Sequence, residues 1–480
     1  GSKFKMIICD FIANKLLTDD EKSEINKIFQ AIDVNGDGLD DLFIGGAKDQ
    51  PGILYTQDST GKFNSNVAQP WYNDRKSEDL GCLFFDADSD GDLDLYVTSG
   101  GNEFKLGDKA LVDRLYINDG KGDFKRTTQS LPSISVSSQT VIASDVDNDG
   151  DLDLFVGTRL VPGKYTFPAD SYLLLNENGK FIKAAVERAA ALQKIGMVTD
   201  AVFTDINSDG QEDLLIVGEW MEIKVLINND GTFTDKSSEF GLEGTRGIWW
   251  SITAEDLDGD GDDDYILGNL GKNNKFKATK EHPFKVYAND FDGNGTNDVV
   301  LAKYYKDGYV PMRGRECTTQ QMPYVGKKFK DFHSFASSKL IDILPEKTVK
   351  EAVVLEISNF ESIILINNNG ILSLQKLPIQ AQISPIKNSL VDDFNNDGFK
   401  DILLVGNHYG VEVETVRYDA GYGSLFLGDG NNEFRFISPT KSGFYLPTDS
   451  RTISSLKINN RDKMYLVTNN NDSISLFKKN

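Results

Sequence analysis

The 480-residue sequence has little cysteine, little histidine and an undersupply of basic residues. Its three cysteines, Cys9, Cys82 and Cys317, lie far apart and form no Cys-x-x-Cys pair. This spacing argues against a disulfide framework and against a zinc finger. The chain has 51 lysines and arginines against 74 aspartates and glutamates, a formal net charge of −23. That balance disfavours binding to nucleic acid or to an anionic membrane, because both require clustered basic residues.

The sequence has no run of 18 or more apolar residues, so it predicts no membrane-spanning helix. Gly1 and Ser2 resemble a cloning remnant, and we recognise no signal peptide after them. We therefore expect the chain to be part of a longer precursor whose signal or anchor lies outside this sequence. Hydrophobic residues make up 39% of the chain, which is enough for a substantial core. We expect a single folded domain over residues 1–480.

A nine-residue acidic pattern, Asp-x-(Asp/Asn)-x-(Asp/Asn)-Gly-x-x-Asp, occurs seven times along the chain. The copies begin at Asp33, Asp86, Asp145, Asp205, Asp256, Asp290 and Asp393. The first four steps between copies are 51 to 60 residues long, and the last two are 34 and 103 residues. Each copy precedes a run such as Leu154-Phe155-Val156-Gly157, rich in the apolar and β-branched residues that favour strands. The pattern therefore predicts a loop between two strands, repeated with a period of 50 to 60 residues.

Each unit also contains a hairpin signal, as in Leu115-Tyr116-Ile117-Asn118-Asp119-Gly120 before Phe124. Four antiparallel strands in a unit of this length, repeated about seven times, are typical of a β-propeller blade. The predicted fold is therefore all-β, with a helical insertion at about residues 305–350. Seven blades result if the loops at Asp256 and Asp290 share one blade with the hairpin at 363–367, and eight result if that hairpin has its own blade. We favour seven, with the segment Lys5–Phe11 supplying the outer strand of the last blade.

The acidic loops have the chemistry of calcium sites. Carboxylate or amide oxygens at positions 1, 3, 5 and 9, with a backbone carbonyl at position 7, place hard oxygen ligands around one point, and the glycine at position 6 permits the turn. Zinc is disfavoured because the loops contain no histidine or cysteine. About seven structural Ca²⁺ ions are expected. The proposed ligands are Asp33, Asn35, Asp37, Leu39 and Asp41; Asp86, Asp88, Asp90, Asp92 and Asp94; Asp145, Asp147, Asp149, Asp151 and Asp153; Asp205, Asn207, Asp209, Gln211 and Asp213; Asp256, Asp258, Asp260, Asp262 and Asp264; Asp290, Asp292, Asn294, Thr296 and Asp298; and Asp393, Asn395, Asp397, Phe399 and Asp401.

Position 12 of each loop distinguishes these sites from EF-hands. An EF-hand needs a bidentate glutamate at that position and a helix on either side. Here position 12 is apolar in all seven copies and lies inside a predicted strand, as Val97 and Val156 illustrate. The sequence therefore excludes EF-hands. We expect the loop at Asp290 to be the weakest site, because Asn294 replaces a charged ligand at position 5.

These loops in their strand context resemble the FG-GAP/VCBS repeat family, whose integrin-like propellers carry calcium in similar loops. Further segments resemble the C-terminal repeat region of ASPIC/UnbV-type secreted or surface proteins of Bacteroidetes. They are Gly244-Thr245-Arg246-Gly247-Ile248-Trp249-Trp250, Gly268-Asn269-Leu270-Gly271, Arg313-Gly314-Arg315-Glu316 and Gln320-Gln321-Met322-Pro323. The ASPIC/UnbV domain itself is not recognisable. The resemblance implies an extracytoplasmic, cell-surface location, associated with the bacterial outer membrane, but it implies no established activity.

No recognised catalytic motif is present, and the three histidines share none. The candidate ligand-binding residues are Arg246, Trp249, Trp250, Arg313, Arg315 and Glu316. Trp249 and Trp250 could form part of a stacking platform on a propeller face, whereas Arg313, Arg315 and Glu316 lie where the repeat is interrupted. The leading hypothesis is a non-enzymatic module that binds a protein or a glycan at the cell surface. A polysaccharide lyase or hydrolase is one alternative, with Arg246, His408 and Tyr409 as residues that could converge on the propeller axis. A structural part of a larger surface assembly is the other.

Overall fold

The computed structural model describes residues 4–7, 29–412, 414–459 and 461–479. In this part of the chain no helix is long and apolar enough to cross a membrane. The described residues form eight antiparallel sheets of four strands each, one of which gains a short fifth strand. The predicted all-β fold with four-stranded units is confirmed.

Seven of the sheets are blades, and their strands follow the chain almost without interruption. Blade 1 contains β2 (Phe29–Ile32), β3 (Asp41–Ile44), β4 (Ile53–Gln57) and β5 (Phe63–Asn66); blade 2 contains β6 (Glu78–Phe85), β7 (Asp94–Gly100), β8 (Arg114–Asn118) and β9 (Phe124–Arg126). Blade 3 contains β10 (Ser137–Ser144), β11 (Asp153–Leu160), β12 (Tyr172–Asn176) and β13 (Phe181–Lys183); blade 4 contains β14 (Met197–Thr204), β15 (Asp213–Met221), β16 (Lys224–Asn229), β17 (Thr232–Asp235) and the short β18 (Gly247–Ile248).

The later blades depart from this simple order. Blade 5 contains β19 (Ser251–Glu255) and β20 (Asp264–Gly268), and then β25 (Ile363–Asn368) and β26 (Ile371–Lys376) after a long insertion. The insertion forms the eighth sheet, from β21 (Phe284–Asn289), β22 (Asp298–Tyr305), β23 (Gly308–Pro311) and β24 (Val353–Ile357). Blade 6 contains β27 (Ile386–Asp392), β28 (Asp401–Gly406), β29 (Ser424–Gly428) and β30 (Phe434–Ile437); blade 7 contains β31 (Ser450–Ile458), β32 (Asp462–Asn469), β33 (Ser475–Lys479) and β1 (Phe4–Ile7).

The first strands of the seven blades form a closed ring. Each contacts the first strand of the next blade, from β2 through β6, β10, β14, β19, β27 and β31 and back to β2. The ring therefore has seven blades, as favoured from the sequence. The eight-bladed alternative is wrong because the hairpin of β25 and β26 pairs with β20, with Leu267 opposite Ile363. The Asp290 loop was expected in a ring blade, but it lies in the inserted sheet instead.

The last blade is completed by the beginning of the chain. β1 pairs antiparallel with β33, with Phe4 opposite Lys479 and Ile7 opposite Leu476. The predicted closing strand is confirmed for residues 5–7, and the remainder of Lys5–Phe11 lies outside the described residues. This pairing covers the edge that blade 7 would otherwise expose.

The core lies between the blades, because each sheet is buried on both faces. Leu154 and Val156 of β11 pack with blade 2, whereas the intervening Phe155 packs with blade 4. Alternate residues of a strand point to opposite faces, so a strand covered on both sides needs apolar residues at successive positions. This explains the continuous apolar runs after the acidic loops.

The short helices lie mainly in the insertion. They are α1 (Val186–Ala189), α2 (Arg315–Gln321), α3 (Tyr324–Lys328), α4 (Phe332–Ala336), α5 (Leu340–Ile343), α6 (Glu346–Lys350) and α7 (Pro439–Ser442). α2 to α6 pack against the inserted sheet through a separate core that includes Phe291, Met322 and Leu340. The predicted helical insertion at about 305–350 is confirmed by these five helices.

Candidate metal loops and axial cavity

All seven acidic loops occupy the same place in their sheets. Each joins the first strand of a sheet to the second, and the aspartate at position 9 is the first residue of that second strand. Position 12 lies within the strand in every copy, so the flanking elements are strands and not the helices of an EF-hand. In blade 7 three residues separate β31 from β32, too few for the nine-residue loop.

The loops share one internal hydrogen-bond pattern. The aspartate at position 1 accepts a hydrogen bond from the backbone N–H of position 6, at 2.7 to 3.1 Å in all seven copies. The side-chain oxygen of position 5 accepts one from the N–H of position 7, at 2.7 to 3.0 Å. The glycine at position 6 has φ between +81° and +99°, a region that other residues seldom adopt. The backbone therefore holds the oxygens in place.

Four of the loops bring three carboxylates close enough to hold an ion. In each triad the carboxylate oxygens lie within 4.8 Å of one another. The triads are Asp86, Asp88 and Asp90; Asp145, Asp147 and Asp153; Asp256, Asp258 and Asp260; and Asp290, Asp292 and Asp298. The Asp290 loop, expected to be the weakest, is thus among the four. In the other three loops an asparagine stands at position 3, so one fewer carboxylate is available.

The aspartate at position 9 has a role that the sequence analysis missed. Its Oδ2 accepts the backbone N–H of position 2 in all seven loops, at 2.8 to 3.3 Å. In the six ring copies its Oδ1 accepts a backbone N–H from the third strand, as Asp94 does from Asn118. Burial raises the pKa of Asp94 to about 7. This side chain therefore fastens the loop to the hairpin, whether or not it also binds a metal.

The candidate ligand residues are not gathered in one place. Trp249 is fully buried between blades 4 and 5, and its Nε1 donates to the backbone oxygen of Thr245. Its proposed role as an exposed stacking platform is therefore wrong, because its ring faces the core. Trp250 lies beside a central cavity instead. The two adjacent residues thus have opposite environments.

The arginine candidates make structural contacts. Arg246 lies 3.2 Å from Glu222 and 3.5 Å from Glu356, which connects blade 4 to the inserted sheet. Arg315 donates to the backbone oxygen of Phe329 at 2.8 Å. Arg313 pairs with Glu412 at 3.1 Å and lines the cavity, whereas Glu316 is an exposed residue of α2.

A cavity of about 1190 Å³ lies on the axis of the ring. The beginnings of the first strands border it, through residues such as Asp200, Lys387 and Arg451. The ends of second strands contribute Arg159 and Glu219. Because the acidic loops follow the ends of first strands, the cavity lies toward the end of the ring away from those loops. Residues of the inserted sheet, such as Phe284 and Leu301, also line it, as do His408 and Tyr418 from the segment between β28 and β29 of blade 6.

Several buried polar atoms of the cavity residues have no hydrogen-bond partner among the described residues. They are Arg159 Nε, Trp250 Nε1, Lys387 Nζ, His408 Nδ1 and Tyr418 OH. Buried polar groups normally find partners, so such a concentration around one cavity is unusual. Burial lowers the pKa of His408 to about 2 and lowers the pKa of Lys387 well below its usual value. Of the three residues expected near the axis, His408 lines the cavity, and Arg246 and Tyr409 do not.

Comparison with known proteins identifies the repeats. Residues 33–97, 86–156 and 205–267 match the model of the FG-GAP-like repeat. The chain therefore carries FG-GAP-like repeats in a β-propeller fold, as the resemblance implied. None of the curated protein sequences matches the chain.

Solved structures that match this protein over most of its length share little sequence identity with it. An Agrocybe aegerita lectin that recognises non-reducing terminal N-acetylglucosamine is 13% identical, with 88% of this chain and 82% of that chain covered and a TM-score of 0.44. The V. cholerae biofilm matrix protein Bap1 is 11% identical, with coverage of 95% and 88% and a TM-score of 0.37. The Dos1 propeller is 10% identical, with coverage of 95% and 93% and a TM-score of 0.43.

Proposed function

We propose that this chain is a calcium-stabilised propeller that acts outside the cytoplasm as a binding module for a glycan or a protein, without catalysing a reaction. The observation that carries the proposal is the division of the ring into two ends. Six ring loops with ordered carboxylates occupy one end, and a cavity with unpartnered polar atoms lies toward the other. The first end suits a structural metal and the second suits a ligand.

The loops fit calcium by the chemistry of their ligands. Only oxygen atoms are offered, and calcium accepts six to eight of them in flexible geometry. In the second loop Asp86, Asp88 and Asp90 would hold the ion, with the backbone carbonyl of Asp92 as a further ligand. The bound ion supplies positive charge that offsets the repulsion of crowded carboxylates. We propose the same role for all seven loops, including the three that have an asparagine at position 3.

The proposed location follows from calcium and from the resemblance to ASPIC/UnbV-type surface proteins. Extracellular modules can use weak calcium sites, with Kd values of about 10⁻⁴ to 10⁻³ M. The segments that resemble this type of protein lie around the insertion: the backbone oxygen of Arg246 accepts hydrogen bonds from Ser358 and Asn359, and Gly271 donates to Phe360. We propose that this region is shared with such proteins, as part of a secreted or outer-membrane-associated protein.

A binding assay tests the proposal directly. The calcium-loaded protein should bind at least one member of a panel of immobilised surface glycans or purified surface proteins, in a saturable way. A variant with Trp250 replaced by alanine should bind a cavity ligand more weakly, whereas the surface variant Asp49→Asn should bind it as tightly as the wild type. Absence of saturable binding across both panels would contradict the binding function.

A polysaccharide lyase is the second candidate, and the cavity gives it one supporting observation. Burial lowers the pKa of Lys387, which makes its amine easier to deprotonate and therefore a candidate base, and His408 lines the same cavity. Incubation with uronate-containing polysaccharides would reveal the unsaturated ends of a lyase product by their ultraviolet absorbance. A rise in absorbance that is lost when Lys387 or His408 is substituted would favour the lyase over the non-enzymatic module.

A further inference from the structure

The ammonium group of Lys387 is the most unusual group in the axial cavity. The residue is only 7% exposed, and its Nζ has no hydrogen-bond partner among the described residues. The indole of Trp250 lies against it, with the ring centroid 2.7 Å from Nζ. An aromatic face is a weaker partner for a buried cation than a carboxylate is. The site therefore holds an unsatisfied positive group or, when deprotonated, a basic amine.

The other cations of the cavity already have carboxylate partners. Arg159 lies 2.7 Å from Glu219, and Arg313 lies 3.1 Å from Glu412. Arg451 lies 3.2 Å from Asp449. Among the described lysines and arginines that line the cavity, Lys387 is thus the one without a carboxylate within ion-pair distance. Its ammonium is therefore the cationic group of the lining that remains available to pair with a ligand.

We infer that the axial cavity binds a ring-bearing monocarboxylate, with the ligand carboxylate pairing with Lys387 and its ring contacting Trp250. This inference rests on the proposed binding function and names the class of ligand. A carboxylate carries one negative charge and matches the single unpaired cation. A phosphate monoester carries nearly two at neutral pH and would leave charge unbalanced in a buried site.

The groups around the cavity favour a ligand that contains a ring over a linear ligand. Trp250 and His408 have ring centroids 5.8 Å apart, and Tyr418 also borders the cavity. Trp250 Nε1, His408 Nδ1 and Tyr418 OH are unpartnered, so they can bind the hydroxyl groups of a polar ring. Since Trp250 covers the ammonium, a carboxylate reaches Lys387 only if the indole turns aside. Binding should therefore change the fluorescence of Trp250.

Binding of a carboxylate should also favour uptake of a proton by Lys387. The charged and titratable groups that face the Lys387 ammonium are Arg451, Asp449, Glu219, Arg159 and His408. With two arginines and two carboxylates among them, burial is the main cause of the lowered pKa of Lys387. A bound carboxylate would raise that pKa again, because it favours the charged amine. The complex should therefore weaken as the pH rises.

Three probes with the same pyranose ring and charges of zero, about −1 and about −2 test the inference: glucose, glucuronate and glucose 6-phosphate. Calorimetry on the whole calcium-loaded chain should show glucuronate binding at least about tenfold more tightly than either of the others. Lys387→Met should remove that preference, Lys387→Arg should retain part of it, and Lys350→Met on the exposed face of α6 should behave as the wild type. A melting curve of Lys387→Met confirms that the variant is folded.

Each outcome separates the ligand class from the binding function. Tighter binding of glucose 6-phosphate, equal binding of glucose, or full retention of glucuronate binding by Lys387→Met would overturn the inference. Binding of a neutral glycan at the cavity would overturn it as well, yet would leave the binding module intact. Absence of binding by all three probes also overturns it, and only failure of the wider glycan and protein panels contradicts the binding function itself. Loss of the fluorescence change in Trp250→Phe, with binding retained, locates the ligand.

Discussion

The Oδ1 atom of Asp94 accepts the backbone N–H of Asn118 at 2.8 Å, and the side chain of Asn118 donates to the backbone oxygen of Val34 in the preceding blade, also at 2.8 Å. The same link recurs with Asn176 and Ala87, with Asn228 and Val146, and with Asn367 and Ile206. In these four blades the acidic loop is thus tied to the hairpin of its own blade, and the hairpin to the preceding blade.

Removing the asparagine should weaken the interface between blades. We expect Asn118→Ala to lower the free energy of unfolding by about 1–3 kcal/mol, because the buried carbonyl oxygens of Val34 and Leu93 lose their donor. Asn431→Ala, at an exposed hairpin position, should change it by less than about 0.5 kcal/mol. Urea unfolding of both variants measures the difference. Equal stabilities would show that the link is unimportant.

Calcium should raise the melting temperature of the protein, and EDTA should lower it. A single site contributes about 2.7 kcal/mol when free calcium is 100 times its Kd. Asp88→Asn removes one carboxylate of the second loop, so calcium should raise the melting temperature of this variant less than that of the wild type. The control Asp49→Asn lies outside the loops and should gain as much as the wild type. A melting temperature that EDTA leaves unchanged would refute structural calcium.

Lys387→Met should stabilise the protein in the absence of ligand. The substitution removes a buried ammonium that lacks a carboxylate partner and keeps an unbranched side chain beside Trp250. We expect the melting temperature to rise by a few degrees, whereas Lys350→Met should leave it nearly unchanged. A gain in stability together with a loss of ligand binding would mark Lys387 as a residue kept for function. A fall in the melting temperature would instead show that the ammonium supports the fold.

The stability of the propeller should depend on pH through Asp200. Burial raises the pKa of this carboxyl to about 7, although the backbone N–H groups of Ile252 and Ala201 lower it in part. The unfolded value is near 3.8, so the folded state holds the proton more tightly. The contribution to stability is therefore full below about pH 4 and is lost as the pH rises through about 7.

A comparison of the wild type with Asp200→Asn isolates this effect. Between about pH 4 and pH 7 the unfolding free energy of the wild type should fall relative to that of Asp200→Asn. Above about pH 7 the difference between the two proteins should stay constant. Urea unfolding at several pH values measures it, since other titrating groups are common to both chains. Parallel curves across this range would show that Asp200 has an ordinary pKa.

Much of the fold was accessible from local patterns. The spacing from Asp145 to Asp153 fixes a tight loop, and the apolar run that follows fixes a buried strand, so both could be predicted at each copy. The inserted sheet could not be assigned, because the loop at Asp290 has the same local pattern as the ring loops. Only the pairing of Leu267 with Ile363 shows that blade 5 continues beyond it.

Local sequence patterns could not predict the cavity. Arg159, Trp250, Lys387 and His408 are separated by up to about 250 residues, and the closure of the ring is what brings them together. The two neighbouring tryptophans show the same limit. Successive residues of an extended segment face opposite sides, so at most one of Trp249 and Trp250 could face the axis, and the sequence does not say which.

The pairing of β1 with β33 has a consequence for how the protein is made. β1 leaves the ribosome before the other described elements, and its partner follows only after more than 460 further residues. At ~5–20 residues per second that delay is roughly half a minute to a minute and a half. Throughout this time Phe4–Ile7 remains a strand with no neighbour, and the last blade lacks its outer edge. Completion of the ring thus waits until β33 has been made, and the two ends of the described chain must then find each other.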